Sequence, residues 1–269
     1  MNPTQTDYRK RLTLQGFGLS FLLSAVLFLI SGNLISFTVV LLGLILGFGL
    51  GTFLDRRGLA SPPGNDLRNS ERSDHPSGVW LRRLYLNESL LVRIAVLLAS
   101  GAVLLALAWT SAYFLLPERL LQTGAPAGEG AAGSLLLEWS RIAGYNLLML
   151  VVIALIGLLL PQYPFAYLVP LVWCVFYGIL LGTNSFVVPM PERMAPSLSV
   201  FQRAGPYEMA AFLLVAAAAY SPARRVADST RGHFLRSVSR AQWVSFGLGF
   251  LIILLAAAWE ANMIVSAAG

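Results

Sequence analysis

Histidine, cysteine and charge are all scarce in this chain, and each scarcity removes a class of function. Of 269 residues, one is cysteine and two are histidine. Cys174 lies inside an apolar run, so no disulfide and no thiolate metal site can form within the chain. His75 and His233 fall in polar stretches, which removes imidazole as an axial ligand at mid-membrane depth. No HExxH, GxSxG or phosphate-cradling GxxxxGK(S/T) motif occurs, and no apolar run carries a carboxylate pair at catalytic spacing. Without a histidine at depth, neither a Ser/His/Asp nor a Cys/His set can be assembled. The expectation is a protein that is not an enzyme. No cofactor is predicted, although a pigment held on Trp173 and Phe176 through non-histidine ligands stays open.

Only 12% of the residues are charged and 57% are hydrophobic, with a mean hydropathy of +0.69. A soluble domain carries roughly 25% charged residues and lacks apolar runs of twenty. Several such runs are present, so the fold class expected is all-α: a polytopic transmembrane helical bundle. No alternating ten-residue pattern appears, which disfavours a β-barrel. The formal net charge of +6 is read as a consequence of topology, and no nucleic-acid partner is expected.

The chain divides into three parts: a basic N-terminus and apolar hairpin over 1–54, a polar linker over 55–89, and a membrane core over 90–269. The run from Leu12 to Leu54 is broken only by Ser31-Gly32-Asn33 and accommodates two spans. Its second half repeats Gly43, Gly47 and Gly51, a small-residue face that lets helices approach closely, within the hairpin or between copies. The linker, rich in Arg, Asn, Ser, Asp, Gly and Pro, reads as solvated and mobile. Further spans are expected over 91–116, 141–160, 165–188, 206–220 and 244–265, with the sixth segment short and alanine-rich. A re-entrant sixth segment would leave six spans.

Basic residues set the orientation. With the N-terminus in the cytoplasm, only Arg119, Arg141, Arg193 and Arg203 of the 19 Lys and Arg residues fall on the outer side. Seven spans, N-terminus in and C-terminus out, follow, across the plasma membrane or another internal membrane of a bacterium. Trp109, Trp139 and Trp259 then belong to an outer aromatic belt, and Trp80 and Trp243 to an inner one. Arg224, Arg225, Arg231, Arg236 and Arg240 line an inner loop suited to anionic head groups, so bound lipids are expected partners.

The polar residues of interest gather over 182–214. Gly205-Pro206-Tyr207-Glu208 opens an apolar run with a carboxylate in its first turn. Two readings stand for Glu208. It complements its own helix dipole behind a Gly205 cap, or it is buried, paired with Arg203 or Arg141 or bonded to Asn146 or Asn184. For Asn146 and Asn184 the default role is interhelical hydrogen bonding. Glu260 reads as solvated at the outer surface.

The order RIAGYNLLMLVVIALIGLLL, then YGILLGTN, then GPYEMAAFLLVAAAA before a last span resembles the stage II sporulation protein M family. That resemblance covers about residues 90–265 and rests on Asn146, Gly178, Gly182, Gly205 and Glu208. It implies a five-span core with Gly178 and Gly182 at a helix-packing face. It also implies a non-enzymatic bundle that recruits or anchors other membrane proteins. Where the family usually has histidine before the glycine, this chain has Ala204, so a His/Glu mechanism does not carry over. The alternative is a transport permease or permease-like subunit built around Glu208, Asn146 and Asn184.

Overall fold

The computed structural model describes residues 85, 87, 89–121, 134–159, 165–186, 190, 192–220 and 238–268. Over them the chain is helical, with no strand. Five α-helices follow one another: α1 Leu90–Leu115, α2 Leu135–Leu159, α3 Phe165–Thr183, α4 Gly205–Ala219 and α5 Arg240–Ala268, with a 3-10 turn Leu198–Gln202 before α4. Helices α1, α2, α3 and α5 are long and apolar enough to cross a membrane. The hairpin 12–54, its glycines Gly43, Gly47 and Gly51, and Arg224, Arg225, Arg231 and Arg236 lie outside the described residues.

Helix α4 is the hub. At 15 residues it is about 22 Å long, short of the roughly 30 Å of hydrocarbon that a span must cross. It packs against all four other helices. Its sequence is apolar on every side, the pattern of a helix enclosed by others, and every residue from Ala211 to Tyr220 is buried. Alanine makes this enclosure feasible, because a helix surrounded by four neighbours can project little side-chain volume.

The most extensive helix pair is α1 with α3, and glycine explains the closeness. A Cβ at Gly178 would lie 2.6 Å from the Leu105 carbonyl oxygen, and one at Gly182 2.7 Å from that of Trp109. No side chain fits where backbone occupies the space, so α3 needs glycine at both positions to seat on α1. Cys174, buried 8 residues before Gly182, packs where a Cβ on Gly101 of α1 would come within 3.2 Å of its sulfur.

Several boundaries differ from those read off the sequence. Helix α2 starts at Leu135 rather than Arg141, because the apolar stretch after Ser134 continues the helix. Helix α3 stops at Thr183 rather than 188: Asn184 turns the backbone left-handed, φ 52°, as a residue just past a helix end commonly does. Helix α5 is longer at both ends than 244–265. It opens on a capping box, the Ser239 N–H donating to Gln242 Oε1 (2.8 Å) and the Gln242 N–H to Ser239 Oγ (3.3 Å). At the linker's end the Tyr85 and Ser100 hydroxyls share a hydrogen bond of 2.5 Å, which ties that part of 55–89 to α1.

The outer aromatic belt is also revised. Trp109 is buried, and its Nε1–H donates to the Met194 carbonyl at 3.0 Å. It anchors a loop inside the bundle instead of facing head groups. Trp139, half-buried, donates to the Leu254 carbonyl of α5 at 3.2 Å. Trp259 and Trp243 are exposed.

Candidate functional site

Glu208 sits one turn into α4, where first-turn backbone N–H groups favour negative charge. Gly205 is not the cap. Ala204 precedes the helix in a helical conformation, and its carbonyl accepts from the Tyr207 and Glu208 amides at 3.0 and 3.2 Å. Gly205 instead meets the hydroxyl end of the Tyr177 ring, which occupies the space a Cβ would need. That contact holds the start of α4 against α3.

The Glu208 carboxylate turns inward. The residue is 8% exposed, and Asn146 Nδ2 of α2 donates to its Oε1 at 2.6 Å. The structure therefore places Glu208 in the bundle, bonded to Asn146, and not at a solvated helix mouth. Glu260 of α5 is half-buried rather than solvated and lies near enough to repel the Glu208 charge, while Arg203 attracts that of Glu260. The Tyr177 hydroxyl feels Glu208, Glu260 and Arg203 together. Four helices thus converge on two carboxyls, one amide, one phenol and one guanidinium. Such a group can hold a proton or a cation, or lock helices together.

Asn184 and Arg141 do not join it. Arg141 is exposed on α2. Asn184 is fully buried in a separate network, its Nδ2 donating to the Met190 carbonyl (2.8 Å) and to Glu118 Oε1 (3.0 Å), and its Oδ1 accepting from the Met190 amide (2.9 Å). This satisfies the turn after α3 and joins it to the turn after α1. Arg193, counted in the sequence only as a loop charge, completes the joint. Its guanidinium donates to the carbonyls of Gly182 (2.8 Å), Ala112 (3.0 Å) and Leu116 (2.8 Å), and stacks 5.0 Å from the Tyr113 ring centre. One cation thereby caps two helix C-termini, where carbonyls lack partners and the dipole is negative.

A buried cation, Arg93, also escaped sequence reasoning. Arg93, 3% exposed in α1, donates to the Asn87 carbonyl (2.6 Å) and, by Nε and Nη2, to that of Ala217 (both 3.4 Å). Tyr167 and Tyr220 lie beside it. Gln242 Nε2 donates to the neighbouring Ala218 carbonyl at 2.6 Å. Because α4 ends inside the bundle, its last carbonyls have no water to turn to, and Arg93 and Gln242 take its place. The sequence signal was an arginine three residues into an apolar run, which also fits an ordinary interfacial charge. No family model matches the chain, and neither curated proteins nor solved structures yielded a match.

Proposed function

We propose that this chain is a non-enzymatic integral membrane subunit of a larger complex, a scaffold that anchors partner proteins. The observation that carries the reading is how the buried polar side chains are used. Arg93, Gln242 and the half-buried Arg193 each satisfy a helix end, Asn184 holds the turn after α3 to Met190 and Glu118, and Asn146 takes up Glu208. Polar chemistry is thus spent on fixing the package, which leaves the outer surface for recognition. On that surface Phe201, Tyr207 and Trp259 make an exposed aromatic patch, with the Tyr207 and Trp259 rings 5.7 Å apart and the Tyr207 hydroxyl donating to the Phe201 carbonyl at 3.1 Å. Exposed aromatic clusters of this kind suit protein contacts. Seven spans with the N-terminus in, counting the short α4 as one because its two ends meet opposite ends of α5, and the resemblance to the sporulation protein M family, belong to the same proposal. The test is purification in mild detergent with mass measurement: a particle well above the 29.1 kDa chain is expected. A protein always alone and monomeric would overturn the scaffold.

A permease-like role is the second reading, favoured by the burial of Glu208 against Asn146 with Glu260 close by. It requires flux, in reconstituted vesicles, that Glu208→Gln abolishes. Unchanged flux in that variant removes it.

A further inference from the structure

Helices α1 and α5 both pack on α4 but make no extensive contact with each other. Where they begin, an open groove of about 550 Å³ separates them, lined by Ser89, Leu90, Leu91, Ile94, Arg240 and Val244 among others. Its walls are aliphatic: Leu91 and Val244 are 78% and 63% exposed. Its one charged group, Arg240, lies where α5 begins, and Ser89 and Ser245 are the other polar residues of the lining. The Arg240 side chain is exposed and makes no hydrogen bond or ion pair with the described residues. The sequence just before it supplies Arg224, Arg225, Arg231 and Arg236.

An apolar groove whose one cation pairs with none of the described residues has the charge and polarity profile of a phospholipid site. We infer that the groove seats one acyl chain of an anionic phospholipid, its phosphate paired with Arg240. Charge complementarity decides this occupant: a purely apolar partner helix would leave Arg240 stranded beside hydrocarbon, whereas a lipid phosphate neutralises it. The pairing draws on the attraction of basic residues for anionic head groups, and the walls on burial of acyl methylenes. This goes beyond the scaffold reading and does not depend on it.

Native mass spectrometry of the full chain, titrated with phosphatidylglycerol or phosphatidylcholine in mixed micelles, tests it. The wild-type chain should retain phosphatidylglycerol in preference to phosphatidylcholine. Arg240→Gln should lower that preference about fivefold, the worth of one interfacial arginine. Val244→Trp, which fills the slot, should reduce retention of both lipids, and Arg141→Gln, a control on α2, should change nothing. Helical content and melting of each variant confirm folding. Equal loss in Arg141→Gln, or an unchanged preference in Arg240→Gln, overturns the assignment. So does a Val244→Trp effect that appears only as loss of a dimer, or a crosslink from Val244→Cys to residues 12–54, since each assigns the groove to a protein segment.

Discussion

At the scale of the residue, the tightest constraint is the Asn146–Glu208 hydrogen bond. Asn146→Leu removes the donor and leaves a buried carboxyl oxygen unsatisfied. We expect a loss of about 2 kcal/mol, the middle of the range for an orphaned buried polar group, measured by unfolding in mixed detergent micelles. Glu208→Gln keeps an acceptor oxygen in place and should cost less than half of that. A larger loss in Glu208→Gln than in Asn146→Leu would show that the ionised carboxyl matters to the fold beyond this bond. Arg93→Met strips the α4 terminus of its cation and should destabilise by about 3 kcal/mol, and Arg93→Lys, with fewer and differently placed donors, by less. Glu208, Asn146 and Asn184 were legible in the sequence because polar side chains are rare in apolar runs. Arg93 and Arg193 were not. Charge bookkeeping assigns any arginine near a span end to water, and nothing local shows that the Arg93 guanidinium turns to a carbonyl 124 residues away.

At the scale of the element, glycines that touch backbone separate from glycines that touch nothing. Gly182→Val puts a Cβ 2.7 Å from both the Trp109 carbonyl oxygen and the Tyr113 amide nitrogen, and should cost about 3 kcal/mol or more because backbone cannot step aside. Gly144 and Gly247 have open space around the Cβ position. Gly144→Ala and Gly247→Ala should therefore stabilise by about 0.5–1 kcal/mol through helix propensity. Equal effects at the two kinds of site would refute the close α1–α3 seam. The existence and order of these helices were readable because apolar runs of 15 to 29 residues leave little choice. Their ends were harder. The start of α2 was hidden by apolar residues on both sides of Arg141, and the end of α3 by an apolar FVV that follows Asn184. The central place of α4 had a visible cause in its all-round apolar alanines, but its brevity raised only the choice between a short span and a re-entrant segment, and not its enclosure by four helices.

At the scale of the whole molecule, Arg240 and Arg141 stand near opposite ends of the bundle: Gln242 meets the C-terminus of α4, whereas α2 begins near the later part of α5 through Trp139 and Leu254. If the bundle crosses a membrane as proposed, Arg240→Cys should react with an impermeant maleimide only from the cytoplasmic side. Arg141→Cys should react only from the other side. Labelling of both from one side would break the proposed orientation.

Those experiments need no cysteine-free background, because Cys174 is 1% exposed between α1 and α3. The same thiol is a built-in clock for the core. A small permeant fluorogenic dye can reach it only after the helices that cover it, α1 and α4, part from α3, so under excess dye its modification rate equals the rate at which this packing breathes open. One natural atom thereby reports the kinetics of the tightest joint in the protein without any engineered probe.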